Sequence, residues 1–247
     1  MDRQAIIQVE TISKHYGANN ALRKVSFQVN QGELFGITGS DGAGKTTLLK
    51  LLKGQGVPDE GFIMVLDYDV YSEIEKLRQH SKLFMHSTSH IDKITVREAL
   101  EVFQKLNESS DNVNAVLKCF GLLPYVDSIV KNLSVELRQR TLLATSMIYN
   151  PSIIFLDEPT TGLDPEAKRE YWSLLSELKV QGKTIIIISH DMSEIQCHCD
   201  RVGVMKEGRL VVCDSPKKLI DQLPRVGHTM EAVYMFYAVG SEGGFES

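Results

Sequence analysis

A chain of 247 residues, 43% of them apolar, is long enough to bury one sizeable core with a lobe attached. Its formal net charge of −5 and pI of about 5.8 leave no basic field over the surface, which counts against a general nucleic-acid binder. No apolar run approaches the roughly 20 residues of a membrane-crossing helix, and Met1-Asp2-Arg3-Gln4 shows no apolar signal segment, so a cytosolic chain is expected.

Residues 5–12 and 22–29 read as strands, with Val25, Phe27 and Val29 alternating as a half-buried sheet requires. Leu34 to Thr38 is a compact apolar strand running into a glycine-rich turn, and a helix from about Lys45 to Lys53 follows. Residues 88–150 read as mostly helical. Ile153 to Leu156 and Thr184 to Ser189 are continuous β-branched or apolar runs, the pattern of strands buried on both faces of a parallel sheet. Between them Asp164 is placed to cap a helix with Pro165 at its first position, Tyr171, Leu174, Leu175 and Leu178 form an apolar stripe, and Gly182 closes it. Val202 to Val212 reads as a hairpin turning at Glu207-Gly208.

This alternation predicts an α/β fold with a three-layer core and a mainly parallel sheet. A small antiparallel β lobe is expected on the N-terminal side and a helical lobe (about 88–150) inserted in the middle, with one domain over 1–225 and a C-terminal tail over 226–247. Cys119, Cys197, Cys199 and Cys213 are too few and scattered for a disulfide framework. In Cys197-His198-Cys199 the two thiols are two residues apart and point to different faces of a helix, so packing is preferred to metal binding.

Gly39-Ser40-Asp41-Gly42-Ala43-Gly44-Lys45-Thr46 is a full match to the P-loop pattern, between a strand and a helix. Its glycines let the backbone curl so that N–H groups and the helix N-terminus point at phosphate oxygens. Lys45 is then expected to reach the β- and γ-phosphates and the Thr46 hydroxyl to ligate Mg²⁺. Ile153-Ile154-Phe155-Leu156-Asp157-Glu158 is an apolar strand ending in two acids, which delivers carboxylates to the carboxyl edge of a parallel sheet. Asp157 is expected to hold Mg²⁺ and Glu158 to polarise the attacking water.

Together these motifs resemble the nucleotide-binding domains of ATP-binding cassette (ABC) transporters, over nearly the whole chain. The resemblance implies ATP as substrate, Mg²⁺ as cofactor and Gly39 to Thr47 as the phosphate-binding stretch, with Thr47 following Thr46. It makes Gly162-Leu163-Asp164 the loop that crosses a dimer interface, His190 the switch histidine that senses the γ-phosphate, and Tyr16 the aromatic ring on adenine. Leu133, Ser134, Val135 and Glu136 stand where the family carries its Leu-Ser-Gly-Gly-Gln signature, which acts on the ATP of the opposite subunit. Leu133, Ser134 and the tail Arg138-Gln139-Arg140 match, whereas both glycines and the glutamine are replaced. His86 falls where the family has a glutamine touching Mg²⁺ and the attacking water, so it is a further metal contact to consider.

Family members work as head-to-tail dimers on a membrane subunit. The resemblance therefore implies an ATPase powering transport through a separate transmembrane permease, at the cytoplasmic face of the membrane. Gly227-His228-Thr229-Met230-Glu231-Ala232-Val233-Tyr234 resembles the ending of exporter cassettes for drugs, peptides and polysaccharides, which points to export. The altered signature favours a heterodimer of unlike cassettes over a homodimer. Two other readings compete. A soluble cassette ATPase of DNA repair or translation is disfavoured by the short stretch from Thr46 to Leu133, by the single cassette and by the acidic charge. A slow, regulatory cassette stays open because of the changes at 86 and 135–137.

Overall fold

The computed structural model describes residues 4–81, 91–106, 112–148, 150–223 and 228–239. Two long strands open the chain, β1 (Ala5–Tyr16) and β2 (Asn19–Asn30), paired antiparallel with Val9 opposite Phe27 and Ile12 opposite Val25. They extend beyond the apolar segments 5–12 and 22–29 because their polar ends, out to the Tyr16–Asn19 pair, continue the ladder into the hairpin. With β4 (Glu60–Val65) and β5 (Tyr68–Asp69) they form a sheet of order β2-β1-β4-β5, the expected antiparallel lobe.

The second sheet has the order β6-β7-β3-β8-β9, built from β3 (Leu34–Gly39), β6 (Ile153–Asp157), β7 (Thr184–Ile188), β8 (Arg201–Lys206) and β9 (Arg209–Asp214). All neighbours are parallel except β8 and β9, which form the expected hairpin through Glu207 and Gly208. Both turn residues have positive φ (48° and 77°), the geometry of a tight hairpin turn that follows the twist of its strands. Strand β7 explains its run of isoleucines: Ile185 and Ile187 face one core while Ile186 and Ile188 face the other, all fully buried.

One core lies between the two sheets around helix α1 (Lys45–Leu52), which contributes Leu48, Leu49, Leu51 and Leu52. The other joins the opposite face of the parallel sheet to the remaining helices. Helix α2 (Ile74–Ser81) follows β5. Helices α3 (Val96–Leu106), α4 (Val113–Cys119) and α5 (Val135–Met147) make up the inserted helical part. Helix α6 (Pro165–Val180) starts as its sequence requires: the Asp164 carboxylate accepts hydrogen bonds from Glu166 N and Ala167 N, both at 2.9 Å. Helices α7 (Met192–His198), α8 (Pro216–Asp221) and α9 (Met230–Tyr234) follow. In α9 the fully buried Met230 and Val233 dock against α7, with Met230 N donating to Gln196 Oε1 at 2.9 Å. Cys197 is exposed and Cys199 buried, on different faces at the end of α7.

Among the described residues no helix is long and apolar enough to cross a membrane.

Candidate functional site

Three consecutive strands of the parallel sheet, β6, β7 and β3, end at one edge, and each delivers a motif there. Beyond β3 the chain curls through Gly39 to Gly44 into α1, whose first turn carries no acidic residue and no side-chain cap. The backbone geometry admits only glycine at 44. Its φ is 101°, and a Cβ there would stand 2.5 Å from the carbonyl oxygen of Ala21. The same contact shows that the β1–β2 hairpin abuts the loop, which brings Tyr16, at the end of β1, to the same side of the molecule. Tyr16 is 54% exposed, with the Lys14 ammonium 5.7 Å from its ring centroid.

Lys45 is buried, and its ammonium donates to Gly39 O at 2.8 Å and to Ser40 O at 2.9 Å. An ammonium has three donors, so these two bonds fix its direction while leaving one for a further acceptor. Ser40, Asp41, Gly42 and Thr46 are exposed along the loop, and Ala43 is buried, its carbonyl accepting from Gly208 N at 3.0 Å. Thr47 is half-buried behind them.

Thr46 and Lys50 on one face of α1, with Lys53 just past its end, line a pocket of 360 Å³ with Asp157 of β6 and Gln139 of α5. Partial desolvation there pushes the Asp157 carboxyl above its ordinary value, and Glu158 adds to this, while Lys53, Lys45 and Lys50 pull it down. Burial likewise lowers the Lys53 ammonium, against the attraction of Asp157.

The next residue, Glu158, takes a left-handed backbone (φ 48°), with its N–H bonded to Ile188 O at 3.0 Å. Its Oε2 lies 2.7 Å from His190 Nδ1 and accepts from Thr161 Oγ1 at 3.2 Å. This contact sets the imidazole ring of His190 directly beside the Glu158 carboxylate. Oε2 thus faces both His190 and Thr161, and Oε1 is the oxygen turned away from them.

The signature residues lie at the start of α5. Ser134 caps the helix, its Oγ accepting from Leu137 N at 3.2 Å, and Leu133 packs on the core. Val135 is 46% exposed. The Glu136 carboxylate turns back along its own helix to Arg140 at 2.7 Å, and Arg140 also pairs with Glu170 of α6. His86 lies outside the described residues.

No sequence motif singles out Lys50, Lys53, Thr160, Lys168, Asp191 or Glu194. The spacing of Thr46, Lys50 and Lys53 is a visible signal for the first two. For the others the pairing is purely tertiary.

A strand–loop–helix phosphate cradle, a carboxylate pair at the next strand but one and a histidine between them define a nucleotide-hydrolysing cassette. Comparison with known proteins gives the same class: residues 22–161 match the family described as ABC transporter. Nod factor export ATP-binding protein I of Burkholderia orbicola (strain AU 1054) is 36% identical over 222 residues, covering 88% of this chain and 73% of that protein. YbhF of Escherichia coli (strain K12), a probable multidrug ABC transporter ATP-binding protein, is 32% identical over 221 residues, 87% of this chain. This chain spans only 38% of the length of YbhF. Among solved structures, cbiO1 of Clostridium perfringens, part of the ABC transporter complex cbiONQ, superposes with a TM-score of 0.77 at 28% identity, covering 90% of this chain and 92% of that one.

The chain belongs to the ABC transporter family and is one of its ATP-binding cassettes.

Proposed function

We propose that this chain hydrolyses ATP to power export through a separate transmembrane permease, from the cytoplasmic face of the membrane, with residues 1–225 as the cassette and 226–247 as its tail. The observation that carries the reading is the Glu158–His190 pair, 2.7 Å apart, at the ends of the two strands beside the P-loop strand, whose lysine is held in the loop. In this reading the backbone N–H groups of Gly42 to Thr47 and the Lys45 ammonium hold the phosphates. Tyr16 lies against adenine. Glu158 Oε1 takes a proton from the attacking water, and His190, held by Oε2, senses the γ-phosphate.

The Thr46 hydroxyl and the Asp157 carboxylate line one pocket and offer oxygen donors, which suits a hard cation such as Mg²⁺. When bound, Mg²⁺ would neutralise charge on the β- and γ-phosphates.

Export is supported by the multidrug and Nod factor export relatives and by the ending that forms α9. The second cassette of the dimer is a different chain in this reading. Val135 thickens the surface where a partner's γ-phosphate would approach, and a homodimer would place that obstruction at both sites. Ser134 and the start of α5 still offer N–H groups to a phosphate, and Arg140 draws the Glu136 charge away from it.

Two measurements test the proposal. In the transporter complex purified from native membranes through a tag on this chain, Glu158→Gln is expected to bind ATP and lose about 10²–10⁴-fold in turnover, the range for a missing general base. Wild-type turnover would remove Glu158 from catalysis. Native mass spectrometry of the same complex is expected to show one copy of this chain with one other cassette; two copies of this chain would refute the heterodimer.

A further inference from the structure

Glu194 is a carboxylate only 7% exposed, outside the reacting groups, and Thr160 beside it is 3% exposed. Thr160 Oγ1 donates to Glu194 Oε2 at 2.7 Å. Thr160 lies two residues after Glu158 and Glu194 lies four residues after His190, so this buried bond runs behind the Glu158–His190 contact and joins the same two segments. Lys168 of α6 closes the cluster, its ammonium 2.8 Å from Glu194 Oε1 and 2.8 Å from Asp191 Oδ2. Asp191 Oδ1 in turn accepts from Ser193 N and Glu194 N, both at 3.2 Å, and fixes the start of α7. The loop after β6, the first turn of α6 and the first turn of α7 thus form one hydrogen-bonded block.

We propose that Thr160 and Glu194 are positioning residues that hold Glu158 and His190 in register for hydrolysis. The inference rests on the reading that Glu158 and His190 form the hydrolytic pair.

The backbone of Glu158 shows why such a device is needed. A non-glycine residue at φ 48° persists only where its surroundings over-determine it. On its N-terminal side Glu158 is anchored by its own amide on Ile188 O. On its C-terminal side Thr161 N closes a turn on Glu158 O at 3.3 Å, but Thr161 is exposed, and the buried side-chain anchor that ties this turn to α7 is the Thr160 hydroxyl. Without the Thr160 bond, Glu158 can relax toward ordinary backbone geometry and swing its carboxylate away from the ring of His190. The P-loop contacts reach ATP from a different strand and would be untouched, so the loss belongs to turnover rather than to ATP binding.

The test uses the tagged native complex. Thr160→Val keeps the shape and removes the hydroxyl, and it is expected to lower kcat about tenfold or more, since small misplacements of reacting groups are costly. KM for ATP should stay within about twofold, the sign of an interaction that matters only in the transition state. Thr160→Ser restores the donor and should recover most of kcat. Glu194→Gln, which keeps an acceptor for Thr160 but loses the charge facing Lys168, should fall between them. In the isolated chain, Thr160→Val should speed amide hydrogen exchange across residues 158–163 while the strands of the parallel sheet remain protected.

Wild-type kcat in Thr160→Val, a proportional rise in KM, or a Thr160→Ser variant as impaired as the valine would overturn the inference. Should the valine variant misfold, Glu194→Gln decides between the outcomes by the same kcat and KM split. Glu158→Gln, measured in parallel, separates the two levels. If it is inactive while Thr160→Val is not, only the positioning role fails; if Glu158→Gln itself turns over normally, the hydrolytic pair and the inference fall together.

Discussion

Gly44 and Val135 stand at the starts of the two helices that the proposed function directs at phosphate, and they treat an added side chain differently. At Gly44 the fold itself requires glycine: the backbone is left-handed and a Cβ would run into the carbonyl of Ala21. At Val135 nothing within the chain requires it. The residue is half exposed, Ser134 caps the helix ahead of it, and neither Val135 nor Glu136 has positive φ. A glycine at 135 or 136 would answer only to what approaches from outside. The P-loop therefore carries its own explanation, whereas the signature can be judged only with its partner in place.

The sharpest way to break this contrast is Gly44→Ala. The substitution combines backbone strain with a steric collision, so a stability loss of about 3 kcal/mol or more is expected, together with loss of ATP binding. Gly42→Ala is its control. Gly42 also has positive φ (76°), but a Cβ there meets nothing within 4 Å, so only the strain of about 1 kcal/mol should appear. Equal losses at 42 and 44 in chemical denaturation would show that the Ala21 contact is not what demands glycine.

The next effect lies in the buried block behind Glu158. Burial pushes the Asp191 carboxyl up, but hydrogen bonds from Lys168, Ser193 and the Glu194 amide outweigh it and hold the group down at about 2. A carboxyl depressed on folding stabilises the fold above the ordinary carboxylate range, and that contribution is lost as pH falls through about 2. Lys168, raised by its contacts with Asp191 and Glu194, loses its contribution only above the ordinary lysine range. Lys168→Met is therefore expected to cost about 1–3 kcal/mol at neutral pH, because it removes the cation that Asp191 shares with the buried Glu194 and leaves Glu194 with the Thr160 hydroxyl alone. The penalty should shrink as pH falls from 7 toward 2. Urea melts across that range check it, and a constant penalty would mean that packing of the Lys168 stem carries the effect.

What is legible in the sequence follows the same division. The buried strands, the Asp164 cap, the Glu207-Gly208 turn and the P-loop are local: a few adjacent residues state both the geometry and its cause. Strand β4 is hidden because Glu60-Gly61-Phe62 breaks the alternation and its partner in β1 lies some fifty residues upstream, and β5, paired with β4, is only two residues long. The Thr160–Glu194 bond is hidden for a stronger reason. Neither residue type is unusual at its position, and only the parallel pairing of β6 with β7 brings their segments together. The direction of Glu136 is half legible: Arg140 stands four residues on along the same helix, whereas the tie of Arg140 to Glu170 of α6 is tertiary.

The smallest effect on the chain, and the most informative about its assembly, is expected from restoring glycine at both Val135 and Glu136. Each glycine costs at most about 0.8–1 kcal/mol of helix propensity, less in a first turn, and losing the Glu136–Arg140 pair costs about 0.2–0.5 kcal/mol. The double variant should therefore melt only slightly below the parent, with the fall set by propensity and that one pair. A loss of several kcal/mol would mean that Val135 or Glu136 supports the fold, and the contrast with Gly44 would disappear. Turnover answers the other half. If the isopropyl group of Val135 holds a partner's γ-phosphate away from Ser134, removing it lets the helix N-terminus close on that phosphate and turnover of the native complex should rise. In the proposed heterodimer only the site formed with the partner's P-loop would respond, because this chain's own Lys45, Glu158 and His190 would meet the partner's signature instead. Single-turnover hydrolysis should then change from two phases, one fast and one slow, toward one. Two unchanged phases after the glycines are restored would place the slow step outside the signature.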